Sequence, residues 1–257
     1  MRENKGNNTT LIHGDALEEL AKLEPGSVDC VCTDPPYGTT DAPWDTAPDW
    51  GRLFAELWRV LKPNGALLMF SQNPVAADII VQQRHYFRYE WVWAKTQSCG
   101  FLNANRMPMR AHELVLVFYR ALPTYNRVPI ASQWKKPYSL KHSMTKTKIY
   151  GTIKLDKMSE SKDGRRAPQD VIRCSFDAKR YHATQKPQEL LRALLSQYCR
   201  PGDLVLDPFA GSGSTLVAAR ELGLRSIGFE LTEHYYNLAR ERLAEQTPLV
   251  SQELIFH

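Results

Sequence analysis

Long apolar runs are absent from this chain of 257 residues. No uninterrupted hydrophobic stretch approaches the roughly 18 residues that a membrane-spanning helix needs, so no membrane span is expected. The first residues, Met1-Arg2-Glu3-Asn4-Lys5-Gly6, have no apolar core and do not read as a secretory signal. Cysteine is sparse: five residues, an odd number, with no Cys-x-x-Cys spacing. Cys30 and Cys32 alternate across a strand, while Cys99, Cys174 and Cys199 are scattered. This argues against a disulfide framework or a zinc site and for free thiols in a reducing cytoplasm. No metal site is expected.

What is present begins with Val28-Asp29-Cys30-Val31-Cys32, a short buried strand by its β-branched and small apolar residues. It ends at Thr33-Asp34-Pro35-Pro36-Tyr37-Gly38. Neither proline can donate to a sheet ladder, so the pair stops the strand and stiffens the chain just past its carboxyl end. Open parallel sheets place their ligands there. Asp34 offers carboxylate oxygens, Pro35 a carbonyl and Tyr37 a flat aromatic face. Two acceptors and a stacking platform suit a planar ring carrying an amino group. Read alone, the tetrapeptide is equally a proline-rich turn with a capping Asp and a core Tyr.

Further along, Leu204-Val205-Leu206 leads into Asp207-Pro208-Phe209-Ala210-Gly211-Ser212-Gly213-Ser214-Thr215 and an amphipathic stretch from Leu216 to Leu222. The pattern is strand, Gly-rich turn, helix. Gly211 and Gly213 would let backbone N–H groups approach a ligand near the positive end of the helix. The next apolar run, Ser226 to Phe229, ends at Glu230, where such folds place an acid on a ribose hydroxyl. The third glycine of a dinucleotide fingerprint is missing, because Leu216 stands in its place.

Together these motifs resemble those of the amino-methylating DNA methyltransferases, which use S-adenosylmethionine (AdoMet). Asp34-Pro35-Pro36-Tyr37 looks like their catalytic motif, and Phe209-Ala210-Gly211-Ser212-Gly213 like their cofactor motif. His182-Ala183-Thr184-Gln185-Lys186-Pro187 is similar to the segment preceding the cofactor motif in one subgroup. The order of motifs is that of the β subgroup. The resemblance implies a cofactor site drawn from Asp15, Lys186, Asp207, Pro208, Phe209, Ala210, Gly211, Ser212, Gly213, Thr215 and Glu230. It implies methyl transfer to an exocyclic amine of a flipped base, adenine N6 in preference to cytosine N4, because Asp rather than Ser precedes Pro-Pro-Tyr. Asp15 reads equally well as the N-cap of a following helix. Methylation at a ring carbon would need a cysteine nucleophile, and none follows a proline in a comparable turn. A DNA-binding module without catalysis is the alternative of another class, disfavoured by the intact Asp34 and Tyr37.

The fold expected is α/β, doubly wound, with a mostly parallel seven-stranded sheet. Strands are read at 10–13, 28–32, 66–70, 89–94, 114–119, 204–206 and 226–229. Helices are read at 16–23, from Pro48 to Pro63-Asn64-Gly65, at 75–84, 187–199 and 233–245. The strand ending at Glu230 has no successor, so residues 10–13 must supply its neighbour, a circular rearrangement that the resemblance also implies. Trp91 and Trp93, at strand spacing, read as core. Residues 121–182 differ in character, with 14 Lys/Arg against 5 Asp/Glu and interleaved aromatics. Periodicity is weak there, and the charge fits phosphate neutralisation. The expected division is a catalytic domain of 1–120 and 183–257 with a target-recognition insertion of 121–182. Lys135, Lys136, Arg165 and Arg166 are its candidate DNA contacts. Duplex DNA is the expected partner, with a second copy of the chain and a cognate restriction endonuclease as further candidates.

Overall fold

The computed structural model describes residues 3–6, 8–42, 44–130, 133, 138–140, 145–147, 151–153, 159–161, 167–179, 181 and 185–245. In chain order the first half contains β1 (Glu3–Gly6), β2 (Thr9–His13), α1 (Ala16–Leu20), β3 (Val28–Thr33), α2 (Trp50–Val60), β4 (Leu61–Ser71), α3 (Val75–Gln82), β5 (Phe87–Cys99) and β6 (Arg110–Phe118). Four short strands follow: β7 (Tyr138–Leu140), β8 (Thr145–Thr147), β9 (Gly151–Ile153) and β10 (Ser159–Ser161). Then come β11 (Val171–Cys174), α4 (Gln188–Tyr198), β12 (Leu204–Asp207), α5 (Ser214–Glu221), β13 (Arg225–Glu230) and α6 (Glu233–Ala244).

Alternation along the central strands sets the layers. β3 sends Cys30 and Cys32 to one face and Val31 to the other; β4 divides Leu68 and Phe70 from Leu67 and Met69 in the same way. The first set packs with Leu190, Leu191, Leu194 and Leu195 of α4 and with Ala218 and Ala219 of α5. The second packs with Leu20 of α1, Leu53, Phe54 and Leu57 of α2, and Ala76 and Ile79 of α3. Strands covered on both faces carry apolar residues at every position, which is why the runs in β3, β4 and β12 look continuous in sequence. Trp91 and Trp93 are buried in the first layer, as expected of core residues.

The sheet runs β1-β2-β13-β12-β3-β4-β6-β5-β11. From β2 to β4 all neighbours are parallel, and β6 is antiparallel to both β4 and β5. Residues 10–13 do flank the strand ending at Glu230, with Phe229 opposite Ile12 and Glu230 opposite His13. Among the described residues this sheet has nine strands where seven were expected. The additions are edge strands: β1, antiparallel on β2, and β11, parallel on β5. Neither has a sequence signal, because Glu3-Asn4-Lys5-Gly6 is polar and Val171–Cys174 lies in the basic stretch. β4 also starts earlier than expected. Pro63-Asn64-Gly65 falls inside it, at a register shift in its pairing with β3, where a proline without an N–H is tolerated.

Both flanks of the basic stretch are built into this body. Val128 and Ile130 are buried, and Gln197 of α4 accepts from Val128 N at 3.1 Å and donates to its carbonyl at 2.8 Å. Between the flanks, β7 pairs with β10 and β8 with β9 as two small antiparallel ladders. Among the described residues no helix is long and apolar enough to cross a membrane.

Candidate active site

Four adjacent parallel strands bring their carboxyl ends to one edge of the sheet, and the loops leaving them line a single cavity of about 730 Å³. β2 delivers Gly14 and Asp15, β13 delivers Glu230, β12 delivers Asp207 to Ser212, and β3 delivers Asp34 to Tyr37. Every candidate cofactor or catalytic residue from 15 to 230 lies in this lining except Gly213. Gly213 instead caps α5 with φ +75°, and a Cβ there would meet Ala239 of α6 at 3.2 Å. Backbone conformation and the closeness of α6 each call for glycine here. Gly211, with φ +53°, has open space around its Cβ position.

Side chains hold the Gly-rich turn from both sides. Glu230 accepts from Gly211 N at 2.9 Å through Oε2 and from Thr232 N at 2.8 Å through Oε1. Burial pushes its carboxyl above the ordinary value. Asp207 accepts from Thr33 Oγ1 at 2.9 Å and from Phe209 N at 3.2 Å. Burial pushes it up to about 6, against the hydrogen bonds from Thr215 and Thr33. Buried Arg242 donates to Ser214 Oγ at 2.8 Å and to the Ser212 carbonyl at 3.2 Å, pinning the turn to α6. Asp15 caps α1, its Oδ1 accepting from Leu17 N and Glu18 N at 2.9 and 3.1 Å. It does so on the cavity wall, so capping and ligand contact are compatible.

At the other end of the cavity Asp34 is engaged on both oxygens. Oδ1 accepts from the Tyr37 hydroxyl at 2.6 Å and Oδ2 from Lys186 Nζ at 2.5 Å. Lys186 therefore sits with the catalytic motif and not on the Gly-rich turn. The segment carrying it is held by Asp177, which accepts from Gln188 N at 3.1 Å and from Gln185 Nε2 at 2.8 Å. Lys186 Nζ also lies 3.3 Å from Glu113, whose other oxygen accepts from Lys95 at 2.5 Å. Burial works against the charge on Lys186, but Asp34 and Glu113 outweigh it and hold the ammonium above its usual value. Burial likewise favours neutral Glu113, yet Lys186 and Lys95 draw it below the ordinary carboxyl range. Sequence reasoning missed both Lys95 and Glu113.

It also missed Asp45, which organises the loop after the prolines. Its carboxylate accepts from the backbone N–H groups of Tyr37, Gly38, Thr39 and Thr40 at 2.7–2.9 Å and from Thr40 Oγ1 at 2.7 Å. Burial opposes the charge, but bonds from Thr40, Gly38 and Tyr37 prevail and hold the carboxyl at about 2. The sequence hint is an acid closing a loop that opens on Gly38-Thr39-Thr40. Ser71, at the end of β4, faces the same cavity with a buried hydroxyl that has no hydrogen-bond partner among the described residues. Lys135, Lys136, Arg165 and Arg166, together with 182–184, lie outside the described residues.

The DNA methylase family model matches residues 28–241. The DNA adenine methyltransferase YhdJ of Escherichia coli (strain K12) is 29% identical, over 95% of this chain and 86% of its own length. TTHA0409 from Thermus thermophilus, solved in complex with S-adenosyl-L-methionine, superposes with a TM-score of 0.59 at 25% identity, over 91% of this chain and 94% of that one. The cytosine-N4-specific PvuII DNA methyltransferase shares the fold, with a TM-score of 0.66 at 18% identity, over 98% of this chain and 91% of that one. A match spanning both motifs and the sheet between them places this chain in the DNA methylase family.

Proposed function

We propose that the chain is a site-specific DNA methyltransferase that moves the methyl group of AdoMet to the exocyclic N6 amine of adenine in duplex DNA. The observation that carries this reading is one cavity holding Asp34 and Pro35 at one end and the Gly211–Glu230 clasp at the other. Its cofactor end fits a nucleoside with an amino acid tail. Gly211 leaves space where a side chain would stand, and the Ser71 hydroxyl awaits a partner. Glu230 and Asp15 each retain lone pairs for ribose hydroxyls or an adenine amine. AdoMet, when bound, supplies a methyl group on a sulfonium that carries its own leaving group.

The remaining work falls to this chain's residues. An exocyclic amine is a poor nucleophile, because its lone pair is delocalised into the ring. Hydrogen bonds from its N–H groups to Asp34 and to the Pro35 carbonyl favour a more tetrahedral nitrogen, a stabilisation that grows toward the transition state. Tyr37 stacks on the base. A pocket of this kind requires the base to leave the helix. Duplex DNA is gripped by the basic stretch 121–182, through Lys135, Lys136, Arg165 and Arg166, while the flanks of that stretch join the catalytic body formed by 1–120 and 183–257. The reading places the enzyme in the cytoplasm. A second copy of the chain and a restriction endonuclease of the same specificity are its further partners, tested by sedimentation and by co-purification.

The test is methylation of plasmid DNA followed by nucleoside mass spectrometry. N6-methyladenine supports the proposal; N4-methylcytosine would replace the adenine assignment, and no modified base would overturn the function. Asp34→Ala should abolish turnover while calorimetric AdoMet affinity stays within about twofold.

A further inference from the structure

The four charges Asp34, Lys186, Glu113 and Lys95 form a continuous chain along the wall of the cavity, drawn from four separate parts of the fold. Asp34 follows β3, Lys186 precedes α4, and Lys95 and Glu113 stand on the adjacent antiparallel strands β5 and β6. Water does not reach most of it: the side chains of Lys186 and Lys95 are 11% and 6% exposed. Aromatic rings flank the ammonium groups, Phe70 at 5.1 Å from Lys186, and Trp93 and Phe176 at 5.1 and 5.8 Å from Lys95. A lysine so enclosed cannot release one carboxylate and turn to solvent; its replacement acceptor must be inside the protein.

This matters because both oxygens of Asp34 already hold a close donor. Tyr37 occupies Oδ1 and Lys186 occupies Oδ2. The carboxylate keeps further lone pairs, but an ammonium at 2.5 Å draws on its charge, so Asp34 accepts from a target amine most strongly once Lys186 lets go. Lys186 has somewhere to go: Glu113 Oε2 lies 3.3 Å away, longer than a good charge-assisted bond and within easy reach of a small rotation of the lysine stem. Lys95 grips the other Glu113 oxygen, so that carboxylate is fixed in place and kept ionised.

Resting on the methyl-transfer reading above, we propose that Lys186 is a positioning residue that exchanges its hydrogen bond from Asp34 to Glu113 as the target amine enters. Lys95 keeps Glu113 ready to receive it. The ammonium stays protonated throughout; it is a donor that changes acceptor and not a base. The cluster is neutral before and after, since two carboxylates face two ammonium groups, so the exchange moves no net charge into the cavity.

The exchange is tested on the full chain by four measurements: kcat, KM for DNA, calorimetric AdoMet affinity and melting temperature. Glu113→Gln removes the ionic acceptor and leaves Lys186 on Asp34, so kcat should fall about 10- to 100-fold, the scale of one lost charge-assisted bond. KM for DNA and AdoMet affinity should hold within about twofold. Lys95→Met leaves Glu113 only the 3.3 Å contact with Lys186, itself shared with Asp34, and should lower the melting temperature. The double variant Lys95→Met/Glu113→Gln removes both buried charges, so its melting temperature should recover while kcat stays low. Lys186→Arg provides a check that keeps the charge: a planar fork spanning both carboxylates cannot hand over one bond at a time, so kcat should fall with the fold intact. Recovery of kcat alongside melting temperature in the double variant would show a purely structural pair and overturn the proposal. Wild-type kcat in Glu113→Gln or Lys186→Arg would do the same, as would a loss of AdoMet affinity parallel to the loss of kcat. A wild-type chain that transfers no methyl group to DNA would remove the reading beneath it, an outcome distinct from an active wild type with indifferent variants.

Discussion

Replacing Asp45 with Asn should loosen the loop that aims Tyr37, and by an amount that depends on pH in a defined way. The wild-type carboxylate accepts five hydrogen bonds from residues 37–40 and is only 8% exposed. Its carboxyl lies at about 2 in the folded chain against an ordinary 3.8. That difference, taken at ~1.36 kcal/mol per unit, bounds its contribution at about 2.4 kcal/mol; with solvent screening at the loop edge we expect about 1–2 kcal/mol. A depressed carboxyl stabilises the fold fully above pH 3.8 and loses that contribution as pH falls toward 2. Asn mimics the protonated acid, because its amide oxygen still accepts but its nitrogen does not. Urea denaturation of Asp45→Asn and wild type should therefore differ by about 1–2 kcal/mol at pH 7 and by about half as much at pH 3. The variant should also lose kcat, since Tyr37 and Gly38 hang from this carboxylate. Equal stabilities at pH 7, or a gap that does not narrow in acid, would refute the reasoning.

Asp207 titrates with the opposite sign. Its carboxyl is higher in the folded chain, about 6 against 3.8, so stability should rise as pH falls from 6 toward 3.8, by up to about 3 kcal/mol, and Asp207→Asn should flatten that slope in denaturation curves. Gly213→Val forces a β-branched residue to φ +75° and against Ala239, so it should lower the melting temperature by roughly 4–8 °C. Unchanged melting with weakened AdoMet binding would return Gly213 to the ligand face. For the basic stretch, engaging about a third of its 14 Lys/Arg residues implies a log–log salt slope near −4 for DNA affinity. Lys135→Glu/Lys136→Glu or Arg165→Glu/Arg166→Glu should flatten it; equal slopes would place the DNA elsewhere.

The parts of the site legible in the sequence are those whose residues are neighbours in the chain. Asp34 to Tyr37 and Asp207 to Thr215 each carry strand end, turn residues and chemistry within one short stretch, so their spacing alone locates them at a sheet edge. Glu230 was legible because β12, α5 and β13 fix the distance between turn and acid. Glu113 and Lys95 were not: each sits in an ordinary strand pattern, 18 residues apart, and gains meaning only when β5 pairs with β6 and α4 brings Lys186 from 152 residues beyond Asp34. Lys186 is visible as part of a motif, but its contact with Asp34 is not, since adjacency in sequence to the cofactor motif says nothing about which loop its ammonium reaches. Edge strands escaped for a simpler reason. Glu3-Asn4-Lys5-Gly6 of β1 offers no apolar alternation for periodicity to register.

The pairing of β2 with β13 also governs when this protein can exist as a structure during its own synthesis. Thr9 and Ser226 meet through their hydroxyls at 3.2 Å across a sequence separation of 217 residues, and β12 must slot between β13 and β3. A nascent chain that has emerged only as far as α4 exposes β2 and β3 without their shared neighbours and presents Asp34 beside half a cavity. Contacts of such separation are slow to form and wait for β13. The catalytic motif leaves the ribosome long before the clasp that completes its cavity. A chain stopped before Glu230 would therefore carry open strand edges on β2 and β3, a substrate for chaperones and proteases.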